Sequence, residues 1–507
     1  MIWSNRSSRR RLLGRLAAQA AALGVLAACG GTPATTATPT TSAAAATTSA
    51  PTTTAAVATT SVAVTAPAST TTAASAISSS VGSASHLAAT ATPVPAGAAS
   101  PAAGSLRVAI YGTTPQIQVW TKLLSAYAQS HAGARAQLES TPSGDVFYNK
   151  VLAEAAGGSP SDVMMFETKR MPAYANQSFF LSLDSYIATS SQVHPADYFS
   201  FSWKKGQLHG KQYAISWDES PAVIFYNPDL FKQNGLTLPP QTWNAPGWDL
   251  ATFLEVCQKL AKGGSKPVFA VHNSDWWVYA LPYIWANGAD VLNADYTKST
   301  LTSANTLAGF QYLYDLRWKY HVDPTPAQAQ LGDTKMFDQG LLAMVPKIPD
   351  FASSARQQIT HVPWDVAPYP SGSAGAWTRS PDDALTASSA SRLADASWKF
   401  IEWACGAPGQ TILVEIGRVP TRVDVAYGPY LQQQPAINWK MIVDGARDHQ
   451  GNQAVTDQWG AMDTLLKSHW QDVFDKNATS PQAFAEAMTD PVNALLDQAT
   501  YRRVIKS

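Results

Sequence analysis

The chain has 507 residues, with 36 basic and 36 acidic side chains and a formal net charge of zero. Only 14% of it is charged, and no basic stripe runs through it, which excludes a nucleic-acid partner. Three cysteines are too few for a disulfide framework, and the nine scattered histidines give no metal-binding spacing, so neither a metal nor another cofactor is expected.

The N-terminus divides into three parts. Arg6, Arg9, Arg10, Arg11 and Arg15 form a positive segment with no acidic residue. Leu16 to Ala28 is apolar and rich in small residues, the length of a secretory h-region and too short for a spanning helix. Leu26-Ala27-Ala28-Cys29-Gly30 then matches a bacterial lipobox, whose cysteine thiol accepts lipid. Ser8-Arg9-Arg10-Arg11-Leu12-Leu13 also resembles a twin-arginine export signal. Residues 1–28 are therefore expected to be a lipoprotein signal peptide. Cys29 is the expected lipidation site, holding the chain at the outer face of the cell membrane.

Residues 31–104 contain no Asp, Glu, Lys or Arg and are almost entirely Ala, Thr, Ser, Pro and Val. Such a stretch cannot bury enough apolar surface to offset its ordering entropy. Residues 29–104 are expected to form a disordered tether reaching roughly 50 Å as a flexible coil. Loss of residues 1–28 takes five arginines from the 36 basic residues, leaving 31 against 36 acidic ones, a net charge of −5.

Residues 105–507 are long for one hydrophobic core, so two lobes are expected. Leu106 to Tyr111 reads as a strand. Ile117, Trp120, Leu124 and Tyr127 recur at helical spacing, as do Phe147, Val151, Leu152 and Ala155 before Gly157-Gly158. Val163-Met164-Met165-Phe166 is a short, fully apolar strand. This rhythm predicts an α/β lobe with a mainly parallel sheet. Ala214 to Asn227 holds two strand-like stretches joined by polar residues and a proline, suited to pass between lobes. Asp249 is a candidate cap for a helix carrying Phe253, Val256, Cys257 and Leu260. Further helices are expected around Leu307–Trp318 and Phe400–Ala404. Cys257 and Cys405 fall in separate helical patterns and are expected to be two unpaired buried thiols.

Several segments in order resemble a known family. They are Ser161-Asp162-Val163-Met164-Met165-Phe166-Glu167, Gly210 to Ile215, Ile224 to Phe231, Gln241-Thr242-Trp243 and Trp285 to Asp290. Phe337 to Met344, Ala396 to Ile401 and Gly417-Arg418-Val419-Pro420 continue the series. Together they resemble the extracellular solute-binding proteins of ABC importers, in the carbohydrate-binding group that includes maltose-binding protein. The resemblance implies a type II periplasmic-binding-protein-like α/β fold. Two lobes would be joined by a hinge, with crossings near Ser220, Asp382-Asp383 and Val425. Lobe one would be 105–219 plus 384–425, and lobe two 221–381 plus 427–507. It also implies a monomer that delivers solute to ABC permease subunits, and no enzyme.

A sugar cleft combines aromatic rings for C–H faces with planar polar groups for hydroxyls. Phe166 and Glu167 end an apolar strand at its carboxyl end, where open α/β sheets bind ligands. The resemblance adds Lys169 and Arg170 on the following loop, Trp276 and Trp277, and Trp459 as a stacking platform. Trp217, Asp218 and Glu219 approach the first crossing; Trp377, Arg379 and Asp382 precede the second. Trp203 suits packing equally. Two departures bear on the ligand. Gly112-Thr113-Thr114-Pro115 follows the first strand, where relatives often carry charged contacts. Pro349-Asp350-Phe351 stands where maltose binders carry a stacking tryptophan.

Alternative solutes are a polyol, glycerol phosphate or a polyamine. A secreted carbohydrate-active enzyme or an adhesin are the other readings. The adjacent pairs Asp218-Glu219 and Asp382-Asp383 make poor acid/base couples, because neighbours on a strand point to opposite faces.

Overall fold

The computed structural model describes residues 104–175, 178–262, 268–451 and 453–505. The expected signal peptide, the lipidation site Cys29 and the tether lie outside the described residues, apart from Gly104.

A five-stranded sheet has the order Ala136–Thr141, Leu106–Tyr111, Val163–Glu167, Asp383–Ala387, Ala214–Ser216. The first three strands run parallel, and Asp383–Ala387 is antiparallel to both neighbours. Val163-Met164-Met165-Phe166 is central and buried on both faces, as its unbroken apolar run predicts. Alternate residues feed two cores. Val163 and Met165 pack with Trp120, Leu123 and Tyr127 of the helix Thr114–Ser130 and with Trp398, Phe400 and Ile401 of the helix Ala394–Cys405. Met164 and Phe166 pack on the opposite face with Phe147 and Val151 of the helix Gly144–Ala156.

A second sheet of four strands has the order Asp365–Ala367, Val223–Tyr226, Leu342–Lys347, Phe269–Val271. Its core is separate from the first two and draws on Phe253, Trp277, Ile284, Phe310, Trp470 and Phe484. Helices are set by local chemistry. Asn227 Oδ1 accepts from the Asp229 backbone N–H at 2.9 Å, and Pro228 follows at the first helical position. Asp249 Oδ1 accepts from the Thr252 N–H at 2.8 Å and starts Leu250–Lys262. Cys257 lies in the second-lobe core and Cys405 in the first, both buried and unpaired.

The strand Ala136–Thr141 is absent from the sequence expectation. Its residues are only partly buried at the sheet edge, so they show no strong apolar alternation. The C-terminal hairpin Gln453–Thr456 with Arg502–Ile505 also differs from expectation. Val455 and Tyr501 were assigned with the second lobe, but they pack beside Phe147 and Phe166 in a core of the first. The third crossing pairs Val419–Pro420 with Asp218–Glu219, a few residues ahead of Val425, which lies in the second-lobe core. Among the described residues no helix is long and apolar enough to cross a membrane.

Candidate functional site

The chain passes between the sheets in adjacent extended segments. Ser220 N–H donates to Pro381 O and Ala222 N–H to Arg379 O, each at 2.9 Å, which joins the first two crossings. Two ion networks, the first buried and the second partly buried, tie these segments to the third crossing and to the approach to the C-terminal strand pair. In the first, Lys205 Nζ lies 2.8 Å from both Glu219 oxygens, 3.5 Å from Asp382 and 3.2 Å from Gln450 Oε1. Ser202 and Ser380 hydroxyls also donate to Glu219, at 2.6 and 2.7 Å. In the second, Arg418 on the third crossing meets Asp218 at 2.7 Å, Asp350 at 3.6 Å, and Asp383. Burial raises the pKa of Asp218, Asp350 and Asp383 although Arg418 opposes it. Burial likewise lifts Asp382 to about 6, against the pull of Lys205.

This placement corrects part of the expected ligand set. Phe166 is fully buried, with Phe147, Tyr148, Tyr174 and Phe180 edge-on around it, because its strand position faces a core. Trp217 is buried edge-on against Trp120 at 5.5 Å between centroids. Asp218, Glu219 and Asp382 are buried in the hinge networks, where lysine, arginine and hydroxyl partners already occupy their oxygens. Trp377 is half-buried, donates its indole N–H to Ala374 O at 2.9 Å and lines neither cavity described below. Trp203 packs against Tyr198 at the edge of a first-lobe core.

Glu167, Lys169, Arg170, Trp276, Trp277, Arg379 and Trp459 are brought together where the lobes face each other. An open cleft of about 950 Å³ is lined by Tyr111, Tyr148, Glu167 and Arg170 from the first lobe. Trp276, Asp463, Thr464, Lys467 and Gln471 line it from the second. Beside it, a small recess is lined by Trp277, Leu281, Trp285, Asp290 and Trp459, with Lys169 and Arg379. Lys169 joins the two, lying 5.5 Å from the Trp276 ring centroid and 5.2 Å from that of Trp459. Glu167 accepts from Arg170 Nε at 3.0 Å and lies 3.6 Å from Lys169 Nζ. Burial pushes its pKa up, but those two cations hold it below the usual value. The carboxylate stays ionised and able to accept hydroxyl protons. Asp463 Oδ1 accepts the indole N–H of Trp276 at 2.7 Å and of Trp277 at 2.9 Å, fixing both rings through one oxygen.

The sequence reading missed Tyr111, Tyr148, Asp463, Lys467 and Gln471. Most of them had a signal. Tyr111 ends a parallel strand at its carboxyl end, as Glu167 does. Trp459, Asp463, Lys467 and Gln471 recur every fourth residue along the helix Trp459–Phe474, so they share one face. No group of three or more His, Cys, Asp or Glu among the described residues stands together to hold a metal.

Asp290 gives a test of the recess. Burial raises its pKa to about 6, although the Val291 backbone N–H donates to Oδ1 at 2.7 Å. An unfolded aspartate titrates near 4, so the folded state holds this proton more tightly. The resulting stabilisation is full below about pH 4 and is lost as pH rises through about 6. Asp290→Asn keeps the accepting oxygen and removes the titration. Its melting temperature relative to wild type is expected to rise from acid to mildly alkaline buffer, read by differential scanning fluorimetry. An offset that stays flat across that range contradicts the assigned burial.

Two α/β lobes joined by several crossings, with a cleft of aromatic and charged side chains between them, define a two-lobed binding protein. Residues 111–411, more than half of the chain, match the family model described as bacterial extracellular solute-binding protein. The chain belongs to that family. A Brucella abortus (strain 2308) protein named only as a binding protein is 22% identical over 284 residues. That match covers 55% of this chain and 66% of the relative, a little under two thirds of its length. Among solved structures, an ABC substrate-binding protein of Listeria monocytogenes in complex with cycloalternan superposes with a TM-score of 0.70 at 17% identity. It matches 78% of this chain and 99% of its own. The GacH receptor of Streptomyces glaucescens, solved unliganded and with acarbose, gives 0.67 at 18% identity over 78% and 100%. Maltose-bound MalE3 of T. maritima gives 0.66 at 17% over 77% and 99%. At these identities the likeness concerns the fold.

Proposed function

We propose that this chain is the capture component of an ABC importer, binding a sugar or oligosaccharide between its lobes. Cys29 would carry lipid, residues 29–104 would act as a leash, and the folded part would work as a monomer at the outer face of the membrane. The observation that carries the reading is the composition of the cleft. Trp276 and Tyr148 offer flat rings from opposite lobes, and Glu167, Arg170 and Asp463 offer planar polar groups beside them. That pairing suits a ring with apolar C–H faces and polar edges. Solutes in the solved structures with this fold include cycloalternan, acarbose and maltose, which supports a saccharide here. A polyamine fits poorly, because Lys169, Arg170, Arg379 and Lys467 would repel it.

A solute touching both lobes binds the closed arrangement better than the open one and shifts the population toward it. The permease would then read the closed form. The test is a thermal-shift screen of the full chain against mono- and oligosaccharides, polyols and polyamines. A saccharide at a hundred times its dissociation constant is expected to stabilise the fold by about 2.7 kcal/mol. No response to any saccharide, with a clear response to a polyamine, would overturn the reading.

A further inference from the structure

Five lysines and arginines are buried among the described residues: Lys169, Lys205, Arg317, Arg379 and Arg422. Four of them have a carboxylate within 4.0 Å: Glu167, Glu219, Asp323 and Asp424 respectively. Arg379 has none. It is 6% exposed, and its guanidinium carbon lies 5.0 Å from the Trp276 ring centroid and 4.8 Å from that of Tyr279. Aromatic neighbours stabilise the cation but accept no in-plane hydrogen bonds from its five N–H groups. A buried, uncompensated charge is costly, so buried cations are ordinarily paired.

Arg379 lines the same recess as Lys169. Lys169 and Lys467 also stand 5.5 and 5.7 Å from the Trp276 centroid, so three cations surround one indole. Asp463 is the carboxylate fixed to that ring, and its Oδ1 already accepts two indole N–H groups. The recess itself carries one carboxylate, Asp290, and its Oδ1 accepts from the Val291 N–H.

We infer that the missing partner arrives on the ligand: the saccharide carries an anionic group, a carboxylate or a phosphate, that accepts hydrogen bonds from Arg379 and Lys169. This rests on the saccharide reading above and narrows it to acidic sugars. A guanidinium lying among aromatic rings is suited to a planar or tetrahedral oxyanion, which it can bind with two parallel N–H groups.

The test is calorimetric titration of the full chain with three sets of probes. These are galacturonate and glucuronate with their dimers, hexose phosphates, and the neutral counterparts of each. An acidic sugar is expected to bind at least about tenfold tighter than its neutral counterpart. Preference for uronates assigns a carboxylate; preference for hexose phosphates assigns a phosphate. Arg379→Gln is expected to abolish the preference, so that acidic and neutral sugars bind with similar affinity. Should that variant fail to fold, Lys467→Gln, at an exposed position, is expected to weaken acidic sugars selectively and to reduce the salt dependence of their binding. Neutral sugars binding as tightly as acidic ones overturns the inference but leaves saccharide capture standing. Absence of binding to every saccharide, neutral or acidic, overturns both.

Discussion

Lys205→Ala is expected to destabilise the protein by about 3–5 kcal/mol, the largest effect of any single substitution considered. Lys205 is 2% exposed and Glu219 and Asp382 are 0% and 4% exposed, so water cannot replace the ammonium once it is gone. Two carboxylates would be left in the interior with hydroxyl donors in place of an ammonium. The loss also spreads beyond one pair. Glu219 belongs to the first crossing, Ser380 and Asp382 to the second, and Gln450 to the approach to the C-terminal hairpin. Removing the ammonium therefore unties segments distant in sequence. Glu219→Gln is expected to cost less, because Asp382 still faces Lys205 and one of the Ser202 and Ser380 hydroxyls can still donate to the amide oxygen. Urea denaturation of the full chain checks both variants. A Lys205→Ala cost below about 1 kcal/mol, the scale of an exposed ion pair, would show that the network is hydrated.

Trp276→Ala is expected to weaken the saccharide that gives the largest thermal shift by about 2 kcal/mol, roughly 30-fold. The ring lines the open cleft and is aimed there by the Asp463 carboxylate. Its loss removes flat apolar area from the ligand and takes from Lys169, Arg379 and Lys467 a ring they share. Trp277 provides the contrast. It is fully buried, and its indole sits 5.9 Å from that of Trp459, so Trp277→Ala is expected to lower stability first. Calorimetry paired with a melting curve separates the two. Equal affinity for wild type and Trp276→Ala would place the solute elsewhere.

Much of both lobes was legible because their elements are strongly patterned. The strand Leu106–Tyr111 and the apolar run at Val163 declare themselves, and Asp249, Gly406 and the helical spacing of Leu307 to Trp318 mark helix ends and faces. The hinge was legible in outline, since polar residues interrupting Ala214–Asn227 do pass from one sheet to the other. What those residues do was not legible. A carboxylate beside a crossing reads the same whether it faces ligand or a lysine from a remote helix. Only the fold brings Lys205 to Glu219 and Arg418 to Asp218. The same holds for Phe166, whose one-residue offset from Glu167 on the strand sends it into a core. The hairpin of Gln453–Thr456 with Arg502–Ile505 joins segments on either side of two helices, a pairing that local pattern does not encode.

The central claim is that one solute bridges both lobes. Hydrogen–deuterium exchange of the full chain, with and without the saccharide that raises its melting temperature, tests this directly. The predicted result is added protection in three places at once: around Glu167–Arg170 on the first lobe, around Trp276–Tyr279 on the second, and at the start of the helix Trp459–Phe474. Protection confined to one lobe, or found only outside these segments, would contradict capture by closure.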